Sequence, residues 1–294
     1  CTIEMNPETF TRSLFPLFAE KLVTRVSMGI QSMDDGVLST LGRNARRSDN
    51  LRSIELAREA MHEYGLELSF DLMLCLPGQS MEMAISDIDE IMSLASPTHI
   101  SLYCLTVEEG TDLSEKVSKG ILPVLDEDGQ EAFLWGVWDH LKSLGFRHYE
   151  VSNFSRDDKL CRHNLTYWNL DSYLGLGCSA VSALRDGPNL QHFSQNQALF
   201  AYSHDLPFSG YSNEALTLTE HLEEYLMMAL RTDVGIDKSL FEKRFSRSFD
   251  NYFSTVIETL DFSWFISSEQ SFSLTEIGFM VLDEVVLRFA MAVL

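Results

Sequence analysis

Two segments, each followed by a helix-length stretch, restrict the fold more than anything else in this sequence. In Thr24–Ser32, Val26, Met28 and Ile30 alternate with Arg25, Ser27, Gly29 and Gln31. In Leu66–Leu74, Leu66, Leu68, Phe70 and Leu72 alternate with Glu67, Ser69 and Asp71. Side chains on an extended chain point to opposite faces with period two, so each segment reads as a strand with one apolar and one polar face. A parallel strand covered on both sides is normally a continuous apolar run. Two strands that keep a polar face therefore predict a polar lumen. Glu4, Gln31 and Asp71 all fall toward strand C-terminal ends, where parallel α/β proteins place their ligands. Each residue alone is more simply a strand-end group that ties down a loop. Their joint placement points to a ligand.

The segments around these strands complete an alternating pattern of strand and helix, which predicts an α/β fold with a parallel sheet. "TIEMNPE" reads as a strand to Met5, after which Asn6 is expected to cap a helix with Pro7 first. A short helix follows around Leu38, and a longer one from near Ser48 to Gly65, a C-cap glycine. Another helix, about 81–94, leads to the strand "THISLYCLT", whose alternation is blurred.

The chain has 294 residues, 45% of them hydrophobic, enough for one large or two smaller domains. Its 44 acidic and 22 basic residues leave a net charge of -22, which disfavours a phosphate backbone or an anionic lipid surface. Nucleic-acid binding is not expected. Cysteines at 1, 75, 104, 161 and 178 are odd in number, scattered, and without the close spacing of a metal site, as in a reducing compartment. No apolar run reaches the roughly 20 residues needed to cross a bilayer, so a cytoplasmic protein is expected. The sequence opens on Cys1 in what reads as the end of a strand. A missing upstream segment is expected.

Seven segments taken together resemble a known family. "TIEMNPE", "RVSMGIQSMDD" with "LGR", "FDLMLCLPGQS", "HISLYCLTVEEGT", "YEVSNFS", "CRHNLTYWN" and "YLGLGCSAVS" occur in the order seen in the radical S-adenosylmethionine proteins related to oxygen-independent coproporphyrinogen III oxidase. The closer likeness is to the HemW-type haem chaperone branch. It is specific from residue 1 to about 185 and looser beyond. The resemblance implies a partial (β/α) barrel binding S-adenosylmethionine and a 4Fe-4S cluster. The family's CxxxCxxC motif, expected ahead of Cys1, does not occur in this sequence. By motif, the resemblance assigns Glu4, Gln31, Arg43 and Asp71 to S-adenosylmethionine. Carboxylates and an amide suit ribose hydroxyls and an ammonium, and a guanidinium suits a carboxylate. Strand alternation had picked out three of these four; Arg43 lies on a connection.

In "CRHNLTYWN", a histidine beside Tyr167 and Trp168 is on its own more often a hydrogen-bonded turn residue than a ligand. The resemblance changes that balance. "HNLTYW" fits the HNxxYW signature of the chaperone branch and implies that His163 ligates haem iron, with Arg162 toward a propionate. Cys161 ranks second as an axial ligand and His148 third. Gly175 and Gly177 lack the rest of a phosphate-loop pattern and read as a tight backbone passage.

Residues 1–108 are expected to form a barrel remnant lacking its first strands, 109–214 a family-specific middle region with the HNxxYW motif, and 215–294 a helical, winged-helix-like domain. Lys238, Lys243, Arg244 and Arg247 cluster there, but Asp237, Glu242, Asp250 and Glu258 dilute them, which favours packing over DNA contact. Met227, Met228, Phe279 and Met280 read as core. The leading functional expectation is haem binding and delivery to recipient proteins. Association with the membrane periphery and self-association stay open within it. Two alternatives also remain open: radical decarboxylation of coproporphyrinogen III, and a winged-helix interaction protein.

Overall fold

The computed structural model describes residues 1–196, 199, 202 and 210–293. The chain divides into two compact units, residues 1–160 and 161–294.

In the first unit, strands β1 (Thr2–Met5), β2 (Arg25–Gln31), β3 (Glu67–Leu74) and β4 (His99–Cys104) run parallel, side by side. Two antiparallel strands, β5 (Arg147–Glu150) and β6 (Asn153–Ser155), complete the sheet in the order β1-β2-β3-β4-β6-β5. The connecting helices are α1 (Phe15–Ala19), α2 (Asp35–Thr40), α3 (Arg47–Tyr64), α4 (Met81–Ala95), α5 (Asp112–Ser118) and α6 (Glu127–Ser143). The expected alternation is present. Val26, Met28, Leu68, Phe70, Leu72, Ile100 and Phe154 are all buried on one face. Gly65 ends α3 in the left-handed conformation, as its position suggested.

One local expectation fails. Pro7–Thr9 is a single 3-10 turn, and Asn6 makes no cap to it. The Asn6 Oδ1 atom instead accepts from the Arg43 guanidinium at 3.4 Å.

The second unit begins with α7 (Arg162–Trp168) and an antiparallel sheet of β7 (Val181–Asp186), β8 (Asn189–Gln195) and β9 (Tyr211–Ala215). Next come α8 (Leu218–Ala229), β10 (Ile236–Asp237), α9 (Lys238–Phe245), α10 (Phe249–Ile257), the hairpin β11 (Phe265–Ser267) and β12 (Ser271–Leu274), then α11 (Glu276–Met280) and α12 (Leu282–Met291). The order helix, strand, two helices and hairpin, with β10-β12-β11 as one sheet, is the winged-helix-like arrangement expected. Phe241, Phe249, Phe253, Phe272 and Phe289 pack ring against ring in its core, in edge-to-face, tilted and stacked pairs.

Three of the four basic residues are engaged within this unit, and Lys243 is exposed. Lys238 pairs with Asp250 at 2.6 Å, Arg244 is buried, and Arg247 lies over the Tyr252 ring. Phe279 is core as expected, but Met227 is 38% exposed on the outer side of α8.

Candidate functional site

The polar face of the first sheet is two rows deep. Register aligns Ser27, Ser69, His99 and Ser155 across β2, β3, β4 and β6, and one pleat further on Gly29, Asp71, Ser101 and Asn153. The deeper row is closed by its own hydrogen bonds. His99 meets the Ser69 hydroxyl through Nδ1 and the Tyr149 phenol through Nε2, each at 2.8 Å. Burial holds the His99 imidazole down to about pKa 3. Between the rows, Ser27 Oγ donates to Asp71 Oδ1 at 3.1 Å. Burial pushes the Asp71 carboxyl up, opposed by hydrogen bonds from Ser101 and Ser27 and by the charge of Arg25.

At the end of β2 the backbone does something unusual. Gln31 is a non-glycine residue at φ 66, and the β2/β3 register slips between Gly29 and Gln31. The Ser32 N–H reaches back to the Ile30 carbonyl at 2.8 Å, making a three-residue turn centred on Gln31. Such conformations are costly and persist only when their surroundings hold them. Here the Asn50 amide donates to the carbonyls of Ile30 (3.3 Å) and Ser32 (2.9 Å). From α4, Asp87 Oδ2 accepts from the Ser32 hydroxyl at 2.7 Å and the Met33 N–H at 2.9 Å. The clamped turn folds the Gln31 side chain back over Gly29. A Cβ at position 29 would stand 2.7 Å from Gln31 Nε2.

These residues line a cleft of about 270 Å³ formed by Glu4, Met5, Asn6, Ser27, Gly29, Gln31 and Asp71. A smaller depression shares Asn6, Gly29 and Gln31 and reaches Arg43. Three of the four expected S-adenosylmethionine contacts therefore share one wall, and the fourth lies next to it through Asn6. Two carboxylates, an amide and a nearby guanidinium fit a ligand with hydroxyls, an ammonium and a carboxylate. A cluster held by cysteine thiolates is another matter. Among the described residues, no three His, Cys, Asp or Glu side chains come together to hold a metal.

Histidine 163 lies in the second unit, on α7. It is exposed, and its Nε2 atom is 3.1 Å from the Tyr167 phenol one turn on. The spacing of four puts both side chains on one helix face. The rings continue edge to face from His163 to Tyr167 (4.8 Å) and from Tyr167 to Tyr173 (4.7 Å). Trp168 points elsewhere and is covered by the Arg231 guanidinium at 5.5 Å. Both terminal nitrogens of Arg244 approach the Asn169 carbonyl at the helix end. After Tyr173, Leu174 and Leu176 are 72% and 81% exposed. A Cβ at Gly175 would stand 2.3 Å from the Val181 carbonyl, so glycine is needed for this loop to lie against β7. That is the tight backbone passage expected.

The other two candidate haem ligands are less available. Cys161 is buried and its thiol donates to Asn164 Oδ1 at 3.3 Å. His148 is buried in the first unit between the rings of Trp138 and Phe154. The sequence reading overlooked His99, Ser101, Tyr103, Glu150 and Asn153. His99, Ser101 and Tyr103 do alternate with Ile100, Leu102 and Cys104. Histidine and tyrosine serve either face of a strand, which hid the period.

Comparison with known proteins agrees with this architecture. Residues 1–91 match the radical SAM superfamily and residues 216–281 the HemN C-terminal domain. "Heme chaperone HemW" of Bacillus subtilis is 30% identical over 290 residues, covering 96% of this chain and 74% of that protein. "Heme chaperone HemW" of Lactococcus lactis is 29% identical over 290 residues, covering 98% and 74%. The mitochondrial "Radical S-adenosyl methionine domain-containing protein 1" of Mus musculus is 36% identical over 242 residues, covering 80% of this chain and 54% of that one. Among solved structures, coproporphyrinogen III oxidase (HemN) from Escherichia coli superposes with a TM-score of 0.76 at 19% identity, covering 98% of this chain and 69% of its own, which shows a shared fold. With near-complete coverage by the bacterial relatives, the chain belongs to the HemW family within the radical SAM superfamily.

Proposed function

We propose that this chain is a haem chaperone: it binds haem through His163 and passes it to recipient proteins. The observation that carries this reading is the exposed imidazole of His163, set on one helix face with Tyr167 and continued by Tyr173. Haem supplies an iron with axial positions open to a nitrogen donor and a broad apolar ring. The bare Leu174 and Leu176 that follow Tyr173 offer apolar surface of the kind such a ring would cover. Arg162, exposed and next to His163 in sequence, is the residue this reading assigns to a propionate. The names of the HemW relatives support the same reading.

In the same reading S-adenosylmethionine binds in the first unit, with Glu4 and Asp71 accepting from its hydroxyls or ammonium, Gln31 beside them, and Arg43 toward its carboxylate. A 4Fe-4S cluster accompanies it in the family to which the chain belongs. Delivery to recipients in the cytoplasm or at the membrane periphery completes the proposal. Among the described residues, no helix is long and apolar enough to cross a membrane.

The test is a spectroscopic haem titration of the wild-type chain beside His163→Ala, Cys161→Ser and His148→Ala. The first substitution is expected to abolish the Soret shift and the other two to preserve it. A folded His163→Ala protein with unchanged haem affinity and spectrum would remove the assignment.

A further inference from the structure

Two cysteines that play no part in the proposed sites meet at the ends of neighbouring strands. Cys104 is the last residue of β4, and its Cα partner on β3 is Leu74, the residue before Cys75. The two side chains are in hydrogen-bond contact. Cys75 is offset by one residue from the partner of Cys104; with adjacent strands roughly 4.8 Å apart and a rise of roughly 3.3 Å per residue, that places the two Cα atoms about 6 Å apart, inside the separation of roughly 4.4–6.8 Å that a disulfide bridges.

The segment carrying Cys75 is held in place. Cys75 itself is left-handed, at φ 59. Pro77 and Gly78, the latter at φ 83, occupy the middle of a turn closed by the Gln79 N–H on the Leu76 carbonyl at 2.9 Å. The Gln79 side chain then ties both sides together, accepting from the Leu76 N–H at 3.2 Å and donating to the Met73 carbonyl at 3.1 Å. Across the gap the Leu105 N–H binds the Leu74 carbonyl at 3.1 Å. These bonds fix the backbone on both sides of the pair.

The two thiols differ in access. Cys75 is buried, whereas Cys104 is half-buried and donates a long hydrogen bond to Gln130 Oε1 at 4.0 Å. We propose that Cys75 and Cys104 are a redox-active dithiol, which a low-molecular-weight disulfide converts into an intramolecular disulfide.

The division of labour follows from the contact. The hydrogen bond from Cys75 brings the Cys104 thiol down to about 7, near the optimum for an attacking thiolate. The same contact, together with burial, pushes the Cys75 thiol up. Cys104 thiolate attacks one sulfur of the disulfide RSSR, forming Cys104–S–S–R and releasing one thiolate. That step removes the negative charge that held the proton on Cys75. Cys75 then loses its proton and attacks the Cys104 sulfur, expelling the second thiolate. Two protein thiols are oxidised by two electrons, RSSR is reduced to two RSH, and the two thiol protons finish on them.

The experiment uses oxidised glutathione as the disulfide, the full chain under native conditions, and proteolysis without reduction followed by mass spectrometry. The expected product is a cross-linked peptide pair containing Cys75 and Cys104, formed ahead of any bridge to Cys1, Cys161 or Cys178. In Cys75→Ser the expected product is a stable glutathione adduct on Cys104. In Cys104→Ser, Cys75 is expected to stay unmodified. Wild-type protein that accumulates the Cys104 adduct without forming the bridge, or keeps both thiols free while the exposed Cys1 reacts, would overturn the proposal. The wild-type map decides the question even if a variant fails to fold.

Discussion

The Tyr167 phenol stands 3.1 Å from Nε2 of His163. Iron that binds at Nε2 must displace this contact, so the phenol competes with haem while its ring helps to shape the surface. A neutral hydrogen bond contributes a net of about 1 kcal/mol, which corresponds to roughly a fivefold change in affinity. Tyr167→Phe is therefore expected to tighten haem binding by about that factor with an unchanged Soret band, and Tyr167→Ala to weaken it. Equilibrium titration distinguishes the two. Weaker binding by Tyr167→Phe would mean that the phenol supports the ligand nitrogen rather than competing for it.

The clamp on the Gln31 turn gives a prediction about stability. Asp87→Ala strands the Ser32 hydroxyl and the Met33 N–H, which share one carboxylate oxygen. Two buried donors left without a partner cost about 2–6 kcal/mol together. Asp87→Asn is expected to lose much less, because its carbonyl oxygen can accept both bonds and burial already works against the aspartate charge. Denaturant unfolding of the two variants measures the difference; equal losses would show that charge, rather than acceptance at one oxygen, holds the turn.

How far the sequence foretold this site depends on chemistry it could display. Glu4, Gln31 and Asp71 were visible because polar residues interrupted otherwise apolar strands at a fixed period. Arg43 was not, since nothing periodic marks a connection, and only the fold brings it to Asn6. Sequence periodicity likewise cannot show the backbone reversal at Gln31, which depends on Asn50 and Asp87 from two separate helices. The β7–β9 sheet was missed for a different reason: its strands carry Ser, Arg, Gln, His and Asn, and their burial is mixed. The spacing of His163 and Tyr167 was legible, but the tripeptide Tyr-Trp-Asn did not reveal that Trp168 turns away from them.

Gly29→Ala tests whether the Gln31 amide belongs to the ligand cleft. The new Cβ would meet Nε2 at 2.7 Å, and that atom is the free end of a flexible side chain. The amide should move while the strand remains, leaving the thermal midpoint close to that of wild type. Calorimetric titration with S-adenosylmethionine is expected to show Gly29→Ala impaired to a similar degree as Gln31→Ala. Wild-type affinity in Gly29→Ala would place the amide outside the binding surface.

His99 should make the fold sensitive to mild acid. Its ring is buried between Ser69 and Tyr149, and burial, with the Arg25 charge adding to it, lowers its folded pKa from 6.5 to about 3. Above pH 6.5 the imidazole is neutral in both states and contributes no pH dependence. Below it, the unfolded chain takes up a proton that the native protein does not accept until about pH 3. Stability therefore falls with pH across this window by about 1.4 kcal/mol per unit, or about 2 kcal/mol by pH 5. Asp71 and Asp87 work in the opposite direction. Their folded pKa values are raised, so protonation favours the native state, but only as the pH approaches the carboxylate range. His221, whose pKa burial also lowers, adds to the slope in the same direction, so between pH 7.5 and 5 His99 supplies part of the acid sensitivity. Urea unfolding of wild type and His99→Gln over that range is the measurement: the variant is expected to be less stable at pH 7.5 yet to have a flatter profile. Parallel profiles would assign the acid sensitivity to another group.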